Sequence, residues 1–114
     1  MEKYSKKEIK EQYRNRVVIG GIYCITCNGS SRKWIKSTKD LAGQSNKFEF
    51  FTSTNLCPEP GMISDWNQYG AQSFSFDILE KLEKGETQTE KEFEDDIRTM
   101  YDMLLEQEKE KYTR

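Results

Sequence analysis

Residues 17–38, VVIGGIYCITCNGSSRKWIKST, carry the strongest local pattern in this chain. Both ends of the stretch are rich in β-branched and aromatic residues, which favour strands. Asn28-Gly29 between them is the preferred pair for a tight hairpin turn in which both residues have positive φ. The return strand then runs through Trp34. The stretch therefore predicts an antiparallel β-hairpin around which the other elements must pack.

Two helices are predicted on either side of this hairpin. Residues 4–15 carry the capping-box pair Ser5 and Glu8 and predict a short N-terminal helix. After the hairpin, KDLAGQSNKFEFF predicts a second helix, with Thr38 or Ser37 as its N-cap. The turn-rich stretch TSTNLCPEP then predicts a loop.

The second half of the chain predicts a helix, a strand and a longer helix. Pro60 suits the first position of a helix that stops at Gly70, and the alternation in FSFDILEKL predicts a strand over 73–80. A long helix follows, with Thr87 and Glu90 as its capping pair and apolar residues at helical spacing up to Leu104. The polar residues 107–114 are expected to form a frayed tail.

These elements predict an α/β fold in which a small, single-layer, antiparallel three-stranded sheet is flanked by helices. At 114 residues the chain is expected to form a single domain over 1–114. No apolar run reaches the roughly 20 residues that span a bilayer, which predicts no membrane partner. The odd count of three cysteines favours a reducing, cytoplasmic location over a secreted disulfide framework.

Charge is distributed unevenly along the chain. Residues 1–47 hold eleven Lys and Arg against four Asp and Glu, a net charge of +7, whereas residues 48–114 carry −9. The basic half predicts attraction to the phosphates of DNA. The alternative is that these charges only solvate exposed helix faces. The chain has no histidine, which removes the commonest general base and metal ligand.

The Cys24-x-x-Cys27 pair before Asn28-Gly29 has the outline of a zinc knuckle. A tetrahedral structural site needs four ligands, and Cys57 is the only other thiol in the chain. On a regular strand, Cys24 and Cys27 also point to opposite faces. We therefore interpret the cysteines as small buried hydrophobic residues.

Gly21-Ile22-Tyr23, followed eleven residues later by Trp34-Ile35-Lys36, resembles the two-part motif of the GIY-YIG nuclease family. The later run W-N-x-Y-G-x-x-x-F-x-F-x-I-L-E, residues 66–80, is similar to that family's second helix and third strand. The resemblance covers about residues 18–105 and implies the same element order.

The resemblance implies hydrolysis of a DNA phosphodiester with Mg²⁺ or Mn²⁺ as cofactor. In the family, the tyrosine at the position of Tyr23 helps to activate the attacking water, and a second tyrosine, here Trp34, orients water or substrate. An arginine that stabilises the transition state corresponds to Gln44, with Lys47 one turn later as a substitute cation. The metal-binding glutamate corresponds to Asp102.

The chain departs from the family pattern at several of these positions. Trp34 lacks the tyrosine hydroxyl, Lys36 replaces a glycine, and Gln44 is neutral. Glu94 or Asp96 is the alternative counterpart of the metal ligand if the alignment is shifted. Tyr23 and Trp34 also have a structural interpretation, as an aromatic pair facing each other across the hairpin.

Three functions are consistent with these residues. The first is a divergent DNA endonuclease with weak or lost activity. The second is a catalytically inactive module on the same scaffold that binds DNA or a protein, of a phage or mobile-element type. The third is an unrelated interaction domain, in which Tyr23 and Trp34 would not share a face of the sheet.

Overall fold

A computed structural model describes residues 17–112 of the chain, with side chains to residue 108. The predicted helix over 4–15 lies outside the described residues. The elements in chain order are β1 (Ile19–Cys27), β2 (Lys33–Thr38), α1 (Leu41–Thr54), a 3₁₀ turn (Pro60–Met62), α2 (Ile63–Tyr69), a second 3₁₀ turn (Ala71–Ser73), β3 (Phe74–Glu83) and α3 (Glu90–Tyr112).

The three strands form one antiparallel sheet in the order β2-β1-β3. The central strand β1 is buried along most of its length, whereas β2 and β3 are partly exposed edge strands. This arrangement confirms the predicted fold class of a small antiparallel three-stranded sheet flanked by helices.

Alternation along β1 divides the core between two faces of the sheet. Tyr23, Ile25 and Cys27 belong to a cluster that includes Leu41 of α1 and Trp66 of α2. We call this side the α1 face.

The intervening residues of β1 point to α3, on what we call the α3 face. A Cβ atom at Gly20 would lie 2.7 Å from Cδ1 of Ile97 in α3. Ile22 and Cys24 lie two and four residues after Gly20 and so project from the same face of β1. Both are buried, and neither belongs to the cluster on the α1 face. Cys24 and Cys27 are thus free, buried thiols on opposite faces of β1.

A β-bulge shifts the register between β1 and β3. Tyr23 pairs with Ile78 but Ile22 pairs with Glu80, which leaves Leu79 without a partner residue. Because side chains alternate along a strand, the extra residue moves Glu80 and Leu82 to the α3 face. The simple alternation of FSFDILEKL does not predict this switch.

The turn between β1 and β2 differs from the predicted two-residue turn. The loop spans residues 28–32 and closes through the amide of Ser31, which donates to the carbonyl of Cys27 at 2.8 Å. Ser31, and not Asn28 or Gly29, has a positive φ, of 65°. Gly29 is instead needed for close packing, because a Cβ atom there would overlap the ring of Tyr69.

Both predicted helix caps are displaced by two or three residues. The N-cap of α1 is Asp40, whose Oδ1 accepts from the amide of Gly43 at 3.0 Å, and not Thr38 or Ser37. Ahead of α3, the capping box joins Thr89 and Glu92, not Thr87 and Glu90.

Helix α3 extends to Tyr112, into the range 107–114 for which the sequence predicts a frayed tail. The side chains seated on the sheet include Phe93 and Ile97, both buried. Within residues 17–112, no helix combines the length and the apolar character that crossing a membrane requires.

Candidate functional site

The hairpin register places the two motif aromatics on one face of the sheet. Tyr23 pairs with Lys36, and Ile25 pairs with Trp34. Paired residues of an antiparallel ladder project from the same face, so Tyr23 and Trp34 both lie on the α1 face. They are diagonal neighbours and not the directly opposed pair that the sequence predicts.

Tyr23 lies in a pocket beneath helix α1. Its hydroxyl donates a hydrogen bond to Oε1 of Gln44 at 3.3 Å, and its ring stacks on Phe76 with the centroids 4.9 Å apart. Lys47, one turn further along α1, also lines the pocket. The pocket has a volume of about 260 Å³. Three of the predicted site residues, Tyr23, Gln44 and Lys47, are thereby brought together.

The rest of the lining is largely apolar. It consists of Ile25, Phe48, Phe51 and Pro58, together with Glu59. Apolar side chains therefore lie directly beside the polar groups of Tyr23, Gln44 and Lys47.

Glu59 contributes a carboxylate that sequence reasoning missed. Its Oε1 lies 2.7 Å from Nζ of Lys36, and Nζ also donates to Oε2 at 2.9 Å. Lys36, which departs from the glycine that the family resemblance implies, neutralises this acid. Glu59 lies in a loop without periodicity, so no sequence signal connects it with the hairpin.

The environment of Tyr23 raises the pKa of its phenol above the ordinary value of 10.0. Burial is the larger cause, and the negative charge of Glu59 adds to it. The side chain therefore keeps its proton at neutral pH and acts as a hydrogen-bond donor.

Trp34 lies on the α1 face without lining the Tyr23 pocket. Its ring stacks on Phe74 with centroids 6.0 Å apart, and the guanidinium of Arg32 lies 5.0 Å from its centroid. Arg32 also approaches the buried carboxylate of Asp65 at 3.6 Å, which accepts from Ser30 as well. These contacts connect the hairpin loop to α2 and give Trp34 a packing role.

Asp102, the predicted metal ligand, does not join the Tyr23 pocket. It belongs to α3 and lines a separate depression with Thr38, Arg98 and Tyr101. The hydroxyl of Tyr101 donates to the carbonyl of Ile35 at 3.0 Å, which fixes this part of α3 beside β2 on the α3 face.

The two alternative ligands are also remote from Tyr23. Glu94 lines the same depression as Asp102, and Asp96 faces a groove beside β3. These carboxylates lie away from Tyr23 because α3 covers the face of the sheet opposite to Tyr23. Among the described residues, no group of three or more His, Cys, Asp or Glu side chains is placed to hold a metal ion.

Comparisons of the chain with models of protein families, with curated proteins and with solved structures found no match. Its function must therefore be argued from its own residues.

Proposed function

We propose that this chain is a GIY-YIG-like module that binds the phosphate backbone of DNA at the Tyr23 pocket and has lost efficient cleavage. One observation carries the proposal. Tyr23 and Gln44, which the family resemblance selected, line one pocket on the α1 face together with Lys47, the substitute cation one turn after Gln44.

The polar groups of the pocket suit a phosphate oxygen. Oε1 of Gln44 accepts from the Tyr23 hydroxyl, so the amide nitrogen of Gln44 is left to donate. Lys47 is exposed and has no ion pair among residues 17–108. A lysine ammonium and an amide donor are common phosphate contacts, and the ammonium supplies the salt-dependent part of the affinity. Lys36 offsets the charge of Glu59, which would otherwise repel the anion.

The same pocket is poorly equipped for hydrolysis. A phenol with a raised pKa is a weaker source of the phenolate needed to accept a proton from water. Gln44 has no positive charge for the transition state, and the loss of one such stabilising group typically costs about 3–4 kcal/mol.

The residues also fit a divalent cation poorly. Mg²⁺ and Mn²⁺ prefer several oxygen ligands, and the lining residues include one carboxylate, that of Glu59, which is paired with Lys36. We therefore assign no catalytic step to a metal at this pocket.

Binding is tested by fluorescence anisotropy with a labelled DNA duplex over a range of salt concentrations. We expect affinity to fall steeply with salt, and Lys47→Gln to weaken it by roughly threefold to tenfold at low salt, with a slope smaller by about 0.9. Lys33→Gln is the matched control, because Lys33 lies next to Trp34 in β2 and so projects from the opposite face. Equal effects of the two substitutions, or binding that does not depend on salt, would contradict the proposal and favour a protein partner.

Cleavage is tested by incubating plasmid DNA with the protein and Mg²⁺ or Mn²⁺. We expect no nicking that depends on Tyr23. If the protein nicks DNA, and Tyr23→Phe abolishes the nicking but keeps the DNA affinity, the chain is an active endonuclease and not an inactive binding module.

A further inference from the structure

A second surface lies on the α3 face, away from the Tyr23 pocket. A groove of about 410 Å³ runs between the end of β3 and helix α3. Its apolar lining consists of Leu82, Met100, Met103 and Leu104, and the carboxylates of Glu80 and Asp96 also line it. We call it the β3–α3 groove.

The bulge in β3 creates one wall of this groove. Without the extra residue Leu79, Glu80 and Leu82 would point to the α1 face. With it, both side chains stand beside α3 and line the groove.

Helix α3 supplies the other wall with the end of its apolar stripe and the side chain beside it. Phe93 and Ile97 are buried against the sheet, Met100 and Leu104 continue that stripe at helical spacing and are half-buried, and Met103 projects next to them and lines the groove. Met103 is 61% exposed, the most exposed of the large hydrophobic residues described. An apolar helix face of this kind is available to a partner.

Charge indicates what the partner must be. Residues 90–112 of α3 contain nine acidic and four basic side chains, a net charge of −5. The carboxylates of Glu80 and Asp96 line the groove, and Asp77 adds another on the same face of β3 because it pairs with Cys24. Among the described lining residues there is no Lys or Arg. A second copy of this acidic helix would meet like charge, so the complementary partner is basic.

Methionine indicates how the partner is held. Its unbranched, polarisable side chain adapts to different apolar shapes, and methionine-rich grooves accept amphipathic helices whose apolar residues recur every three or four positions. We propose that the β3–α3 groove is a docking site for a basic amphipathic helix of a partner protein.

The test uses the full chain and a labelled synthetic peptide of Leu and Lys, with leucines at the i, i+3, i+4 and i+7 positions of a helix. A Leu/Glu peptide with the same pattern and a scrambled Leu/Lys peptide are the controls. We expect saturable binding of the patterned Leu/Lys peptide alone. Equal affinity for the Leu/Glu peptide, or for the scrambled peptide, would overturn the charge argument or the helix argument respectively.

Three variants test the location of the binding surface. Met103→Gln should weaken binding by about tenfold, as expected for the loss of a central apolar contact. Ile63→Gln is the matched control, because Ile63 is 52% exposed and lies in α2. The joint substitution of Glu80→Gln and Asp96→Asn should weaken binding and flatten its salt dependence. An unchanged affinity in Met103→Gln, or an equal loss in Ile63→Gln, would overturn the assignment.

Methyl NMR of the methionines provides a direct readout. We expect the peptide to shift the methyl signals of Met100 and Met103 and to leave that of Met62, which is buried on the α1 face, in place. Shifts of equal size at Met62 would show that the peptide disturbs the fold and would overturn docking at the groove. Self-association that Met103→Gln abolishes would assign the groove to a second copy instead. None of these outcomes depends on DNA binding at the Tyr23 pocket.

Discussion

Gly21→Ala should be the most destabilising conservative change in the hairpin. Gly21 has a φ of 148° and pairs with Lys81, beside the bulge of β3. A Cβ atom there would overlap the carbonyl oxygen of Glu80 and would lie 3.0 Å from the Cα of Lys81. Both obstacles are backbone atoms of a paired strand, so neither can rotate away.

Two costs determine the magnitude. A positive φ costs an L-residue on the order of 1–2 kcal/mol, and overpacking at a site that cannot relax costs about 1–3 kcal/mol more. We expect Gly21→Ala to lower the free energy of unfolding by roughly 3 kcal/mol. With an m-value of about 1.5 kcal/mol/M, this shifts the urea midpoint down by about 2 M.

Urea unfolding followed by circular dichroism measures this shift. Gly61→Ala is the control, because a Cβ atom there would meet only Nε1 of Trp34, at 3.8 Å. A Gly→Ala change at a position that tolerates a Cβ is neutral or stabilises by about 0.4–1 kcal/mol. If Gly21→Ala unfolds within about 0.5 M of the unsubstituted chain, the bulge does not impose glycine and the described register is wrong.

Two further predictions concern a cap and a titration. Thr89→Ala should destabilise the protein by about 1 kcal/mol, because Thr89 and Glu92 cap α3 reciprocally. Thr87→Ala should leave the melting temperature unchanged. The reverse result would show that Thr87 and Glu90 form the cap. The hydrogen bonds with Thr89 lower the pKa of Glu92 in the folded state. The stability that these bonds contribute is therefore present above the pKa of Glu92 in the unfolded chain, and it is lost as the pH falls through the pKa of Glu92 in the folded chain. The raised pKa of Tyr23 acts in the opposite direction, since the folded state holds this proton more tightly and loses stability as pH rises above 10.0. Ultraviolet titration should show a late-titrating phenol that Tyr23→Phe removes and that Glu59→Gln moves towards the ordinary value. If the unsubstituted chain shows no such phenol, the burial of Tyr23 is refuted.

The elements of the fold could be predicted from the sequence because they depend on local patterns. Strand composition, the proline at the start of a 3₁₀ turn and the helical spacing after Thr89 all act within a few residues. The errors occur where a distant contact decides the local geometry. Asn28-Gly29 does not form the tight turn, because the amide of Asn28 donates to the carbonyl of Ser73 and the Tyr69 ring occupies the space beside Gly29.

The candidate site was predictable only in part, for a similar reason. Tyr23 and Gln44 were selected by the family resemblance, and their contact depends on one strand and the helix that follows the hairpin, which lie close together along the chain. Asp102 depends on which face of the sheet α3 covers, and no local pattern contains that information. Glu59 reaches the pocket from a loop and forms an ion pair with Lys36. No sequence pattern predicts this pairing.

The three residues of the Gly-Ile-Tyr motif have separate roles in this chain. Gly21 permits the bulge, and Ile22 is fully buried in the core between the sheet and α3. Only Tyr23 reaches the pocket. Two of the three motif positions are therefore accounted for by the fold itself. The bulge also separates the two candidate surfaces, since it keeps Ile78 opposite Tyr23 on the α1 face and directs Leu82 into the β3–α3 groove. A ligand at one surface can then bind without competing for the side chains of the other.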